Sequence, residues 1–110
     1  LRGSRGGRNA IKLLEKNGYS IVSSQVPFRG TILVDEERVS FDIRPDYLVE
    51  RDGVQYLAEV KTGKSASPRD RGTRRQLLEY AKLSGKDTIL LVDASGGKIM
   101  KIRFGDVLKQ

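Results

Sequence analysis

The chain has 110 residues, 37% of them hydrophobic and 32% charged. This composition fits one globular domain over residues 1–110 and argues against wholesale disorder. The absence of cysteine and histidine excludes disulfides, thiolate nucleophiles, thiolate zinc sites and histidine general bases. Because 21 Lys and Arg residues outnumber 14 Asp and Glu residues, for a net charge of +7, an anionic partner such as nucleic acid is favoured.

The same absences restrict the metals that this chain could use. Without thiolate or imidazole ligands, a catalytic metal must take oxygen donors, which points to Mg²⁺ or Mn²⁺. No apolar run approaches the ~20 residues that a membrane-spanning helix needs, so we expect no membrane span in this chain. The sequence opens on Leu1 rather than methionine, which is compatible with a processed product or a piece of a longer protein.

The first part of the chain predicts a helix followed by β structure. Residues 1–7 are basic and rich in glycine, and we expect them to form a flexible arm. Apolar residues at helical spacing over 10–14 then predict a short amphipathic helix that ends at Asn17-Gly18. Residues 19–27 predict a strand, and residues 31–44 predict a hairpin with its turn near Glu36-Glu37.

The next two strands carry the most informative pattern. Residues 46–50 and 54–61 are joined by Asp52-Gly53, a strong signal for a two-residue hairpin turn. Counting outward from that turn places Asp46 opposite Glu59, with Cβ atoms about 4.5–5.5 Å apart. Two carboxylates held so close repel each other unless a proton or a cation lies between them. Because side chains alternate along a strand, Lys61 shares the face of Glu59.

The last part of the chain predicts a second helix and two further strands. Thr73-x-x-Gln76 matches a capping box that would open the helix, and an earlier start near Asp70 is the alternative. Residues 88–93 and 98–103 predict strands around a glycine-containing turn. Together the elements predict an α/β domain with a central mixed sheet flanked by helices.

The predicted cluster of two acids and one amine suits the hydrolysis of a phosphodiester with the help of a metal. Asp46 and Glu59 would hold Mg²⁺, which polarises phosphoryl oxygens and acidifies water. Lys61 would orient the attacking water or stabilise charge in the transition state. The alternatives without a catalytic role are that Asp46 is a charged residue at a strand start and that Glu59 and Lys61 form a surface ion pair.

Several motifs together resemble one nuclease superfamily. Pro45-Asp46, followed after twelve residues by Glu59-Val60-Lys61, resembles the signature of the PD-(D/E)xK nucleases. The segment QLLEY at 76–80 is similar to the QxxxY helix motif of RecB-like members. The order of the elements, with LLEKNGY at 13–19, resembles archaeal Holliday-junction resolvases. The resemblance covers roughly residues 8 to 93.

The resemblance implies a restriction-endonuclease-like core and a DNA endonuclease that depends on Mg²⁺ or Mn²⁺. It implies catalytic roles for Asp46, Glu59, Lys61 and Gln76, with the metal held by Asp46, Glu59 and the backbone carbonyl of Val60. The implied partner is DNA, duplex or branched. For a branched substrate, a homodimer would present two sites. A cytoplasmic, nucleoid-associated location is implied as well.

Basic residues outside this cluster are candidates for contacts with the phosphate backbone. Most of them lie between the predicted strand 54–61 and the second helix, and two lie near the beginning of the chain. Phosphate contacts position a protein on DNA without reading its sequence. The candidates are Lys64, Arg69, Arg71, Arg74, Arg75, Arg5 and Arg8.

Two other functions fit the same residues. Many members of the superfamily place a glutamate near the start of the first helix, where this chain has Gly7. A nuclease fold that only binds nucleic acid is therefore one alternative, and a basic RNA-associated or structural protein is another. Gln76 is either a capping partner or a group near the metal, and Tyr80 serves either packing or function.

Overall fold

Two helices and seven strands make up residues 5–105, which are the part of the chain that the computed structural model describes. A short 3₁₀ turn, Gly63–Ser65, lies between the fifth strand and the second helix. In chain order the elements are α1 (Arg5–Lys16), β1 (Ser20–Ser24), β2 (Phe28–Val34), β3 (Glu37–Ile43), β4 (Tyr47–Arg51), β5 (Val54–Lys61), α2 (Arg71–Ser84), β6 (Thr88–Asp93) and β7 (Lys98–Arg103).

Five of the strands form one mixed sheet in the order β1-β4-β5-β6-β7. Neighbouring strands run antiparallel except β5 and β6, which are parallel and are connected through α2. A parallel pair needs such a long crossover because its strand ends lie at opposite edges of the sheet. The predicted α/β domain with a mixed sheet between helices is confirmed.

The sheet separates two hydrophobic clusters, each covered by one helix. On one face, Ala10 and Leu14 of α1 pack against Val60 and other buried strand residues. On the other face, Leu77 of α2 packs against Leu57 and its neighbours. Since alternate residues of β5 point to opposite faces, its odd-numbered side chains lie on the α2 face. This alternation places Glu59, two residues after Leu57, on the same face and near the carboxyl end of the strand.

Strands β2 and β3 form a separate two-stranded sheet beside α2. The hairpin packs close to α2 at Gly30, where a Cβ atom would lie only 2.9 Å from the Leu83 side chain. Its turn residues are Asp35 and Glu36, both with positive φ (49° and 70°), as type I′ hairpin turns require. The prediction near Glu36-Glu37 was therefore wrong by one residue.

Two boundaries in the first part of the chain differ from the sequence prediction. Residues 5–7 form the first turn of α1 and not a flexible arm, while residues 1–4 lie outside the described residues. The predicted strand 19–27 is shorter, because β1 ends at Ser24 and Gln25 has a positive φ of 55°. The predicted end of α1 at Asn17-Gly18 is confirmed, with Gly18 at φ 86°.

The second helix begins earlier than the capping-box pattern predicts. Asp70 is the N-cap residue, and its carboxylate accepts a hydrogen bond from the Thr73 backbone N–H at 2.9 Å. Thr73 is buried inside the first turn, and its hydroxyl donates to the Ser65 carbonyl. A carboxylate satisfies the free N–H groups of a helix start as well as a hydroxyl does. The capping box with Gln76 was therefore wrong, and the earlier start is the observed one.

Except for β1, the predicted strands of the main sheet agree with the structure within one residue. β5 (Val54–Lys61), β6 (Thr88–Asp93) and β7 (Lys98–Arg103) match their predicted bounds, and β4 is Tyr47–Arg51 where 46–50 was expected. In the described part of the chain, neither helix has the length and apolarity needed to cross a membrane.

Candidate functional site

The register of the β4–β5 hairpin brings the two predicted carboxylates together. The pairs run from Arg51 opposite Val54 to Tyr47 opposite Ala58, as the Asp52-Gly53 turn predicts. Asp46 immediately precedes β4 and continues this register beside Glu59. Its own backbone N–H donates a hydrogen bond to Glu59 Oε1 at 3.3 Å. The predicted register is confirmed.

The carboxylate of Asp46 is fixed at both oxygens. Oδ2 accepts a hydrogen bond from the backbone N–H of Val60 at 2.9 Å, and Oδ1 accepts one from Gln25 Nε2 at 3.2 Å. The Gln25 backbone N–H also donates to the Asp46 carbonyl at 2.9 Å. These contacts tie Asp46 to β5 on one side and to the segment after β1 on the other, which sets the direction of its side chain.

Glu59 is the buried acid of this site, with only 6% of its surface exposed. Its Oε1 accepts a hydrogen bond from the Tyr80 hydroxyl at 3.0 Å, and its Oε2 lies 3.6 Å from Lys61 Nζ. The Lys61 side chain is 25% exposed, so it reaches from the buried carboxylate toward solvent. The site therefore has an inner acid and an outer amine on the same face of β5.

Burial and the second acid raise the pKa of Glu59 from its ordinary 4.5 to about 7. Loss of hydration is the largest cause, and the charge of Asp46 adds to it. The hydrogen bond from Tyr80 and the charge of Lys61 act in the opposite direction without cancelling the rise. Near neutral pH the Glu59 carboxyl is therefore divided between its protonated and charged forms, and a bound cation would favour the charged form.

A hydrogen-bond chain from α2 ends on Glu59. Gln76 Nε2 donates to the Tyr80 hydroxyl at 2.9 Å, and this hydroxyl donates to Glu59. The pKa of Tyr80 is raised by burial first and by the Glu59 charge second, so the phenol keeps its proton as a donor. Gln76 and Tyr80 lie one helical turn apart, which puts them on the same side of α2. Both side chains thus belong to the site.

A groove opens beside these residues, between the end of β5 and the start of α2. It encloses about 490 Å³ and is lined by Lys61, Gln76, Arg75 and Asp70 among others. Lys61 and Gln76 therefore face the groove, whereas Glu59 lies behind them. An anionic polymer in this groove would pass directly over the amine of Lys61.

Comparison with known proteins gives a likeness of fold. No protein-family model matches the chain, and a comparison with curated proteins finds no match. The chain is similar to the solved structure described as "Crystal structure of SSO0001", with a TM-score of 0.62 over 94% of its length. It spans 50% of that protein and is 19% identical to it. At this identity the likeness shows the fold alone.

The chemistry of the donor set fits a small divalent cation. In residues 5–105 there is no group of three or more acidic side chains placed to hold a metal, but Asp46 and Glu59 supply two carboxylates. Mg²⁺ is commonly held by one or two carboxylates with water completing its octahedron. In an extended strand the N–H and C=O of a residue point to the same side. The Val60 carbonyl therefore faces the side on which Asp46 lies.

The helix α1 adds no acid to the site among its described side chains. Gly7 is buried in the first half of α1, and Glu15 near its end is exposed. The carboxylates that the described residues bring together at this site are Asp46 and Glu59. This arrangement fits one cation better than two.

Five of the predicted phosphate contacts lie close together in the sequence between β5 and the second turn of α2. Arg75 lines the groove, and Arg74 Nη1 donates to the Pro68 carbonyl at 3.2 Å. Arg8 belongs to α1, on the opposite face of the sheet, and the Arg5 side chain lies outside the described part. The group formed by Lys64, Arg69, Arg71, Arg74 and Arg75 is therefore a candidate surface at this groove, and Arg8 is not part of it.

Sequence reasoning missed Gln25 and left Tyr80 undecided. The spacing of Gln76 and Tyr80 was a usable signal, because residues four apart share one side of a helix. Gln25 offered none, since it reaches Asp46 through a left-handed backbone conformation at the end of β1.

Proposed function

We propose that this chain is a metal-dependent nuclease domain with a restriction-endonuclease-like core, and that it hydrolyses phosphodiester bonds of DNA. The observation that carries the proposal is the joining of Asp46 to buried Glu59, with Lys61 on the same face at the mouth of a groove. An unneutralised acid pair inside a sheet is destabilising. Such a pair is useful where a cation is bound.

Asp46, Glu59 and the Val60 carbonyl are the groups that would hold the cation. When bound, Mg²⁺ or Mn²⁺ supplies Lewis acidity toward a phosphodiester. The hydrogen bonds from Val60 and Gln25 keep the Asp46 carboxylate in one orientation. Preorganised charge of this kind stabilises a transition state without rearrangement during the reaction.

Lys61 acts at the substrate side of the site. Its amine contacts Glu59 and borders the groove, so it can donate hydrogen bonds to a phosphate oxygen or to the attacking water. The developing negative charge on the phosphoryl group makes these hydrogen bonds stronger in the transition state than in the ground state. We therefore propose Lys61 as a catalytic residue.

Tyr80 and Gln76 position the buried acid. Tyr80 donates to Glu59 Oε1 and receives a hydrogen bond from Gln76, which leaves Oε2 directed toward Lys61. Because Gln76 also borders the groove, its carbonyl oxygen is a second polar group within reach of a substrate.

The direct test of the proposal is cleavage of labelled linear duplex, single-stranded and four-way-junction DNA with Mg²⁺, Mn²⁺ or EDTA. We expect cutting that requires the metal and falls by about 100-fold or more in Lys61→Ala. Lys82→Ala is the matched control, because Lys82 is exposed in the last turn of α2. Equal cutting by Lys61→Ala and the wild type would contradict the assignment. Preference for the junction would favour a resolvase-like substrate and a homodimer.

A second candidate function is nucleic-acid binding without hydrolysis. The observation that favours it is Gly7, which lacks the carboxylate that the resembled family uses for its metal site. Binding of all three DNA substrates without cutting in any metal would support this alternative. In that case neither Lys61→Ala nor Lys82→Ala would change the products.

The hydroxyl of Tyr80 offers a separate prediction. Tyr80→Phe removes a hydrogen bond that lowers the pKa of Glu59, so the pKa of Glu59 should rise further and half-maximal cleavage should need a higher pH. Loss of the buried hydrogen bonds should also lower the free energy of unfolding by about 1–3 kcal/mol. Tyr56→Phe, on the other face of the sheet, is the control. An unchanged pH profile in Tyr80→Phe would show that Tyr80 only packs.

A further inference from the structure

A second basic surface lies on the face of the sheet opposite the candidate active site. Two clefts lie here: one between α1 and the turn before β7, and one between the segment after α1, the end of β4 and β7. Lys12 and Lys16 of α1 line the first cleft, while Arg51 and Lys101 line the second. We refer to the two clefts together as the α1–β7 groove. Among residues 5–105, none of those that line it carries a carboxylate.

Two of these cations are held in place by aromatic rings. The guanidinium carbon of Arg51 lies 4.3 Å from the centre of the Tyr19 ring, and its Nη1 donates to the Asn17 carbonyl at 3.3 Å. Lys101 Nζ lies 5.6 Å from the centre of the Tyr56 ring. An aromatic face orients a cation but, unlike a carboxylate, does not cancel its net charge. Both cations are therefore fixed in position with their charge available.

The positive charges of the groove form no ion pairs with other described residues. Ion pairs within 4.0 Å among residues 5–105 include Arg29 with Asp42, Lys61 with Glu59, and Arg103 with Asp87. None of them includes a cation of the α1–β7 groove. Uncompensated cations along a groove raise the local concentration of anions and attract polyanions most strongly.

We propose that the α1–β7 groove binds the phosphodiester backbone of a nucleic acid, at a site separate from the one that contains Asp46 and Glu59. From Asn9 to Lys16 the helix α1 advances about 10 Å, and from Lys98 to Lys101 the strand β7 covers about 10 Å. This length corresponds to about three phosphates of one strand along a duplex axis. The two basic sites lie on opposite faces of the sheet, so one molecule can hold two nucleic-acid segments. The proposal goes beyond hydrolysis and does not depend on it.

Lys12→Gln/Lys16→Gln tests the groove, and Arg38→Gln/Lys82→Gln is its control with equal net charge. All four side chains are exposed, so both variants should fold. We expect the affinity for a short labelled duplex in EDTA to fall about tenfold in the groove variant. The slope of log affinity against log salt should decrease by about 1.8, or 0.9 for each lost phosphate contact. Equal effects in the two variants would overturn the proposal.

A second measurement separates this groove from the candidate active site. Two duplexes, one with a donor and one with an acceptor dye, should show energy transfer when mixed with wild type or with the control variant. The groove variant should lose this transfer, because it retains only the candidate site on the other face of the sheet. Transfer that persists in the groove variant would overturn the proposal. Binding of polyglutamate, but not of DNA, by the α1–β7 groove would overturn it as well. Cleavage of a single duplex is expected in the groove variant, so failure here is distinct from failure of the nuclease proposal.

Discussion

Replacing Asp46 by asparagine should lower the rate of metal-dependent DNA cleavage by about 100-fold to 1000-fold while DNA binding stays intact. Asparagine keeps an oxygen that can accept the hydrogen bond from Val60 N–H, which Asp46 Oδ2 accepts at 2.9 Å. Its Nδ2 would face Gln25 Nε2, which donates to Asp46 Oδ1 at 3.2 Å, so the Gln25 amide must turn to present its oxygen. With that adjustment the change removes the charge and keeps both contacts. Because loss of an anion also relieves repulsion of phosphate, binding in EDTA should be equal to wild type or tighter.

Asp46→Ala should have the same effect on cleavage and an additional effect on stability. It leaves the buried Val60 N–H and the Gln25 amide without their common acceptor, which destabilises the fold by about 1–3 kcal/mol. The control is Asp42→Ala, because Asp42 is an exposed acid that pairs with Arg29 on the β2–β3 hairpin. Cleavage at the wild-type rate by Asp46→Asn would show that the metal is held elsewhere or that the activity has another source.

The parts of the fold that could be predicted from the sequence are those set by local rules. Asp52-Gly53 determines a two-residue turn, and the turn determines the register that brings Asp46 to Glu59. The strands on either side of the glycine-containing turn after β6 are set by equally local signals, and their bounds agree with the prediction. A local signal therefore located the centre of the candidate site before any tertiary contact was known.

The remaining features depend on contacts between distant segments. Both Asp70 and Thr73 are acceptable N-cap residues, and Thr73 is displaced from that role because its hydroxyl is buried against the Ser65 carbonyl. Tyr80 becomes a site residue only because α2 packs over the end of β5. Gln25 joins the site only because the chain turns back after β1. A pattern within one segment could propose Asp70 and Tyr80 for these roles, but it could not decide between the alternatives, and it gave no signal for Gln25.

The buried acid leads to an expected pH dependence of stability. In EDTA, the free energy of unfolding should fall by about 3 kcal/mol between about pH 4.5 and about pH 8, because the pKa of Glu59 is raised from 4.5 to about 7 in the folded state. Below about pH 4.5 Glu59 is protonated in both the folded and the unfolded state, so the free energy of unfolding keeps its full value. Between the two values the unfolded chain loses its proton while the folded chain keeps it, so stability falls as pH rises. Urea unfolding across this range measures the effect.

Glu59→Gln should flatten that dependence, because the amide has no proton to lose. The chain has no histidine, so few other side chains ordinarily titrate in this window. Glu50→Gln, at an exposed position of β4, should keep the slope of the wild type. Mg²⁺ at about 100 times its dissociation constant should restore about 2.7 kcal/mol to the wild type at high pH and nothing to Glu59→Gln. A steep slope that survives in Glu59→Gln would mean that another group titrates, whereas equal stabilisation of both proteins by Mg²⁺ would remove Glu59 from the metal site.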